Sequence, residues 1–196
     1  MEVSCVGRSL GNKVSSELLQ LHPELHDSHI SEIGSIVAAA CLAHDLGNPP
    51  FGHSGEKAIG TYFSEGKGRI LQSQLSPKEW DDFTHFEGNA NAFRLLTHQF
   101  QGRRPGGFVL TYSTLASIVK YPFSSQLAGS KQKFGFFTSE EAAFQKIAQE
   151  LGIQQKSKEG EPLRFYRHPL VYLVEAADDI CYQMMDIEDA HKLKIL

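Results

Sequence analysis

The chain has 196 residues, 41% of them hydrophobic and 21% charged, with a formal net charge of -4. That length allows one domain with a real core and leaves a second independent domain cramped. The acidic balance excludes a broadly basic nucleic-acid surface, although Arg103-Arg104 and Lys131 with Lys133 form local basic clusters.

Val3, Val6, Leu10, Val14 and Leu18 recur at three- and four-residue steps and predict an amphipathic first helix over 2–20. A polar break, "HPELHDSH", precedes a second helix from Ser31-Glu32 through Ile33, Ile36, Val37, Ala40 and Cys41, ending near His44 to Gly47. A third helix begins at His53 or Ser54 and runs through Ile59 and Phe63. "EGKGRILQSQLSPKEW" reads as a loop with a helical turn, and a helix follows from about Phe86 to Phe100. "TYSTLASIVKYP" predicts a short helix stopped by Pro122, and Ser139 with Glu140-Glu141 starts another to about Leu151. After the linker-like "QQKSKEGEPL", the run from Pro169 reads as a long, mostly buried helix. With no repeat and no strong period-two pattern, residues 1–196 are expected to form a single all-α domain.

Cys5, Cys41 and Cys181 are odd in number and set among apolar neighbours, as reduced core residues of a cytoplasmic protein would be. The N-terminus carries Glu2 and Arg8 early and does not read as a signal peptide, and the apolar run "IVAAACLA" is too short to span a bilayer.

Chemistry concentrates in "CLAHDLGNPPFGHSGE", residues 41–56. His44-Asp45 closes an apolar helix, where a carboxylate is costly unless it is paired or metal-bound. The pair can be a ligand set or a simple helix-end cap. His53 and Glu56, at i and i+3, can meet across one helical turn. A carboxylate beside a histidine fixes its tautomer and favours the protonated form that a general acid needs; a surface cap is the alternative. Asn48-Pro49-Pro50 stiffens the bend between them. Far along the chain Asp178, Tyr182 and Asp186 are spaced by four and share a helix face. These acids want a cation, a sugar hydroxyl or an arginine such as Arg164 or Arg167. Imidazole plus carboxylate donors suit Mg²⁺ or Mn²⁺ foremost, with Fe²⁺, Co²⁺ or Zn²⁺ also in range. Glu87, Lys120 and Tyr121 carry weaker signals of their own.

"AHDLGNPPFGHSGE", "FEGNANAFRLLT" and "HPLVYLVEAADDICYQMMDIEDA" together resemble the HD-domain deoxyguanosine triphosphate triphosphohydrolases, and "EVSCVGRSLG" and "KFGFFTSE" also fit them. The resemblance implies an all-α HD-domain helical bundle, usually homo-oligomeric. It also implies cleavage of deoxynucleoside triphosphates, dGTP foremost, to deoxynucleoside and inorganic triphosphate, with no membrane partner and single-stranded DNA as a further candidate ligand. By motif, His44, Asp45 and Asp178 would be metal ligands, His53 the catalytic histidine, Glu56 its acidic partner and Glu87 an active-site acid. Tyr182 and Asp186 would contact the deoxyribose, with Lys120, Tyr121 and Lys133 at the phosphates. Asn48 stands where some relatives have a histidine. The family's first metal histidine lies in "HSLEV", and here that position would fall two residues before Met1. Family members are commonly more than twice as long. Three of four ligands are therefore expected in this chain, with weakened metal affinity. Other HD phosphohydrolases that release single phosphates, or an inactive nucleotide-binding subunit, are the competing readings.

Overall fold

The structure, a computed structural model, describes residues 1–102 and 104–195, and of Lys131 the backbone alone. Arg103 and the side chain of Lys131, each half of a basic cluster read from sequence, thus lie outside the described residues. The protein is all-α. Its α-helices are α1 (Glu2–Leu21), α2 (Ile33–Ala43), α3 (His53–Ser64), α4 (Pro77–Thr84), α5 (Gly88–Thr97), α6 (Tyr112–Ile118), α7 (Glu141–Glu150) and α8 (Val171–Lys192). Among the described residues, strand-like pairing is confined to isolated bridges joining Phe123 to Arg164, Ser124 to Phe136 and Gln155 to Phe165. No described helix is long and apolar enough to cross a membrane. The chain divides into two compact units, 1–43 with 169–196, and 44–168.

In the first unit α1 packs against α2 and α8. The predicted apolar face of α1 is displaced by one residue. Ser4, Gly7, Gly11 and Ser15 are buried, whereas Val3, Val6, Leu10, Val14 and Leu18 only flank that seam. Close approach is the cause. A Cβ on Gly11 would stand 2.7 Å from the Gly34 Cα, and one on Gly7 would stand 2.6 Å from Cys41 Sγ. The serines satisfy themselves within the seam, Ser4 Oγ donating to Ala38 O and Ser15 Oγ to Ile30 O, each at 2.9 Å. Helix α8 corrects a second expectation. Only Val171, Val174, Ala177 and Cys181 are buried, while Ile180, Met184, Met185 and Ile187 are exposed. The stripe that α1 and α2 can cover ends at Cys181. Cys41 and Cys181 are buried as expected, but Cys5 is exposed.

In the second unit the interior is aromatic. Phe93, Phe134, Phe136 and Phe144 are fully buried. Phe144 meets Phe93 at 5.8 Å, Phe165 at 5.3 Å and Phe136 in a stack at 4.9 Å between ring centroids. Each such side chain contributes about 1.5–3 kcal/mol by burial alone. Helix α4 falls where a loop was expected. Its start signal is local: Pro77 opens the first turn, Ser76 Oγ accepts from Glu79 N, and Glu79 reaches back to Ser76 N at 2.9 Å. Phe83 of α4 lies 4.6 Å from Phe63 of α3. The buried Asp82 accepts from Ser125 Oγ at 2.6 Å and Thr138 N at 2.8 Å, tying α4 to both later segments.

Candidate active site

Residues 44–52 form the bend ahead of α3. Gly47 is required there, because a Cβ would collide with Ala92 N and Gly88 O at the start of α5. Asn91 Nδ2 donates to Gly47 O at 2.8 Å, pinning the bend to that helix. Asn48 Nδ2 donates to Asp45 Oδ1 at 2.9 Å, and the other oxygen of Asp45 lies 3.3 Å from His44 Nε2. Asn48 therefore orients the carboxylate, and the imidazole nitrogen and carboxylate oxygen sit side by side. The bend closes through Phe51, whose φ of 67° is left-handed, and Gly52, which brings His53 to the first position of α3.

His53 Nδ1 donates to Glu56 Oε2 at 2.8 Å. The His53 side chain is 86% exposed and that of Glu56 12%, so the ring reaches solvent while its anchor is held inside. Glu56 uses its second oxygen to accept from Gly88 N at 2.7 Å. Burial raises the Glu56 carboxyl, but the hydrogen bonds from His53 and Gly88 and the charge of Lys133 outweigh it and hold the group below its ordinary value.

Glu87, at 0% exposure, is the N-cap of α5. It accepts from Asn89 N at 2.7 Å, Ala90 N at 3.2 Å, Asn89 Nδ2 at 2.7 Å and Lys133 Nζ at 2.7 Å. Lys133 also lies 3.5 Å from Glu56 Oε2. Burial lowers the Lys133 ammonium, and its two carboxylate partners more than reverse that. His53, Glu56, Lys57, Phe86, Gln132 and Lys133 line one small cavity.

Elsewhere in this unit the Tyr121 ring has Lys120 Nζ at 5.9 Å and Arg167 Cζ at 5.8 Å from its centroid. On α8, Asp178 is half-buried, and Tyr182 and Asp186 are exposed. Burial, together with the charges of Asp178 and Cys181, pushes the Cys41 thiol to about 11, which marks it as an inert core thiol. Among the described residues no three His, Cys, Asp or Glu side chains form a group that could hold a metal ion.

No family model matches the chain. Individual proteins do. A deoxyguanosinetriphosphate triphosphohydrolase-like protein of Pseudomonas aeruginosa is 48% identical over 204 residues, covering 100% of this chain and 44% of the relative. One from Synechocystis is 44% identical over 207 residues, covering 100% and 46%. The chain belongs to this triphosphohydrolase-like family. The deoxyguanosinetriphosphate triphosphohydrolase of Yersinia enterocolitica extends the similarity, at 33% identity over 231 residues, 97% of this chain and 42% of that protein. The chain thus spans less than half the length of the curated relatives it matches.

Of the residues expected to act in a triphosphohydrolase-like chain, the structure brings together His53, Glu56, Glu87 and Lys133. It also joins His44, Asp45 and Asn48. Gly88, Asn89 and Gln132 were missed. The first two directly follow Glu87 in "FEGN", where a cap followed by a glycine was the available signal.

Proposed function

We propose that this chain carries the hydrolytic site of a metal-dependent deoxynucleoside triphosphate triphosphohydrolase, with dGTP the first substrate to test and deoxynucleoside and inorganic triphosphate the products. The observation that supports it most is the His53–Glu56 pair: a solvent-facing imidazole anchored through Nδ1 to an internal carboxylate. That hydrogen bond leaves Nε2 as the working nitrogen, the one that would donate a proton to the departing 5′-oxygen.

The residues at the bend fit a divalent cation in two positions. Donor atoms about 2.1 Å from a shared ion, at octahedral to tetrahedral angles, are about 3.0–3.4 Å apart, and His44 Nε2 and Asp45 Oδ2 are 3.3 Å apart. Asp178 is proposed as a further ligand from its place in the HD…D motif. Bound there, Mg²⁺ or Mn²⁺ would supply Lewis acidity at the α-phosphate and a more acidic water. Asn48 keeps Asp45 turned for that role. Lys120 and Tyr121 are proposed at the triphosphate, Tyr182 against the sugar face and Asp186 at the 3′-hydroxyl. Exclusion of a ribose 2′-hydroxyl by Tyr182 would give the deoxy preference. A homo-oligomer is the expected assembly, and single-stranded DNA a ligand to test.

A second reading is a nucleotide-binding subunit without turnover. Chromatography of products separates the readings. This chain, and a version carrying the flanking residues that full-length relatives possess, would be incubated with each dNTP and Mn²⁺ or Mg²⁺. Intact triphosphate in equal amount to deoxynucleoside supports the proposal. Orthophosphate, or no turnover even with the flanking residues, opposes it.

A further inference from the structure

The ammonium of Lys133 and the imidazole of His53 meet on one atom. Glu56 Oε2 accepts from His53 Nδ1 at 2.8 Å and lies 3.5 Å from Lys133 Nζ. The same ammonium donates to Glu87 Oε1 at 2.7 Å, and Glu87 is wholly buried. Two of its three N–H directions are thus directed to protein carboxylates, which is not how a lysine reserved for phosphate is held.

We infer that Lys133 is a positioning residue: its ammonium binds Glu56 and Glu87 into one charged unit and, through Glu56, fixes the His53 ring. The inference rests on the reading of His53 as the proton donor. Two carboxylates meeting at one cation would repel without it, and one would take up a proton. Glu87 is locked by the backbone of α5, whose N–H groups it caps, and Glu56 by Gly88 N. Lys133 is locked from its own side. A Cβ on Gly135 would collide with Tyr121 O, so the 133–135 segment lies directly against the backbone at Tyr121. Glu87, an active-site acid by resemblance, thereby becomes the counter-ion of Lys133 rather than a group open to substrate. The charged groups facing His53 are Glu56 on its own helix, Lys57 on the wall of the same cavity, and Lys133 opposite, with Glu87 behind it.

The test reads His53 directly, without turnover. Proton–nitrogen NMR of the imidazole rings, assigned with a His53→Gln variant, gives the titration midpoint of His53 in the chain free of nucleotide. In Lys133→Met the midpoint should rise by about half a pH unit or more, because a nearby cation that opposes ring protonation is gone. Lys133→Arg should restore most of the wild-type midpoint. Glu87→Gln keeps an oxygen for the α5 cap and should move the midpoint the other way, downward. An unchanged His53 midpoint in a folded Lys133→Met chain, with loss only of tripolyphosphate binding, would make Lys133 a phosphate contact and overturn the inference. If Lys133→Met does not fold, Glu87→Gln decides, and no downward movement there overturns it equally. A midpoint that moves as expected in a protein that releases no triphosphate from dGTP would instead count against the function proposed above and leave the role of Lys133 standing.

Discussion

The α1–α2 seam and the Lys133 cluster are both tightly built, but by opposite means. The seam is built on small residues: Gly7, Gly11 and Gly34 let the helices approach closely, and the polar links are hydrogen bonds from Ser4 and Ser15, with Arg8 reaching Ser35 at the exposed edge. The cluster is spacious enough for long side chains and is held by charge: one ammonium, two carboxylates, one imidazole and the N–H groups at the head of α5. One region should therefore respond to volume and the other to charge. Substitutions that change only one of these properties can separate them.

The largest effect is expected at Glu87→Ala, which removes a helix cap and the closer partner of Lys133 together. Breaking a buried pair on one side costs about 3–5 kcal/mol, to be read from urea unfolding midpoints. Glu87→Gln, nearly equal in volume, should still lose a substantial part of that stability, since the charge and not the shape holds the cluster. Gly11→Ala comes next. The added methyl would meet Gly34 backbone at 2.7 Å, and overpacking of this kind costs about 1–3 kcal/mol. A Gly11→Ala protein as stable as wild type would show that the helices can part freely and would dissolve the contrast.

Acid sharpens the comparison without mutation. The Glu56 carboxyl is held below its ordinary value, so its contribution is complete above the unfolded value of about 4.3 and is lost as pH falls through the lower folded one. The stability gap between wild type and Glu56→Gln should therefore narrow as pH falls below about 4.3. Burial raises the Asp82 carboxyl, only partly offset by the hydrogen bonds from Ser125 and Thr138. Its sign is opposite: the native state is penalised above the raised folded value and relieved as pH falls towards the ordinary one. Gly11→Ala, which touches no titrating group, should differ from wild type by the same amount throughout. The smallest effect is expected at Ser76→Ala, a loss of about 1 kcal/mol from the exposed capping box of α4, again by urea midpoint.

The same contrast explains what the sequence revealed. Period-three-and-four spacing located α1, but the seam face is marked by small residues, which a search for large apolar side chains passes over; the helix was legible and its buried side was displaced to its neighbours. Helix α4 was legible in principle from Ser76-Pro77-Lys78-Glu79, a capping box with proline at its head, though the glycine-bearing stretch before it suggested a loop. His44, Asp45, Asn48, His53 and Glu56 could be grouped because a stiff bend compresses them into a few residues. The link between Lys133 and Glu87 could not, because 46 residues separate the partners and a lysine in "SKQKFG" carries no local sign of a buried carboxylate. The exposed distal half of α8 was misread for a related reason: its apolar residues look like core until the length of α1 and α2 available to cover them is known.

The site reading turns on water attacking phosphorus while His53 protonates the departing 5′-oxygen, and isotope placement tests that directly. Hydrolysis of dGTP in ¹⁸O-labelled water, with mass spectrometry of both products, should put a single ¹⁸O in the inorganic triphosphate and none in the 5′-hydroxyl of deoxyguanosine. Label in the 5′-hydroxyl, or labelled orthophosphate in place of triphosphate, would contradict the account.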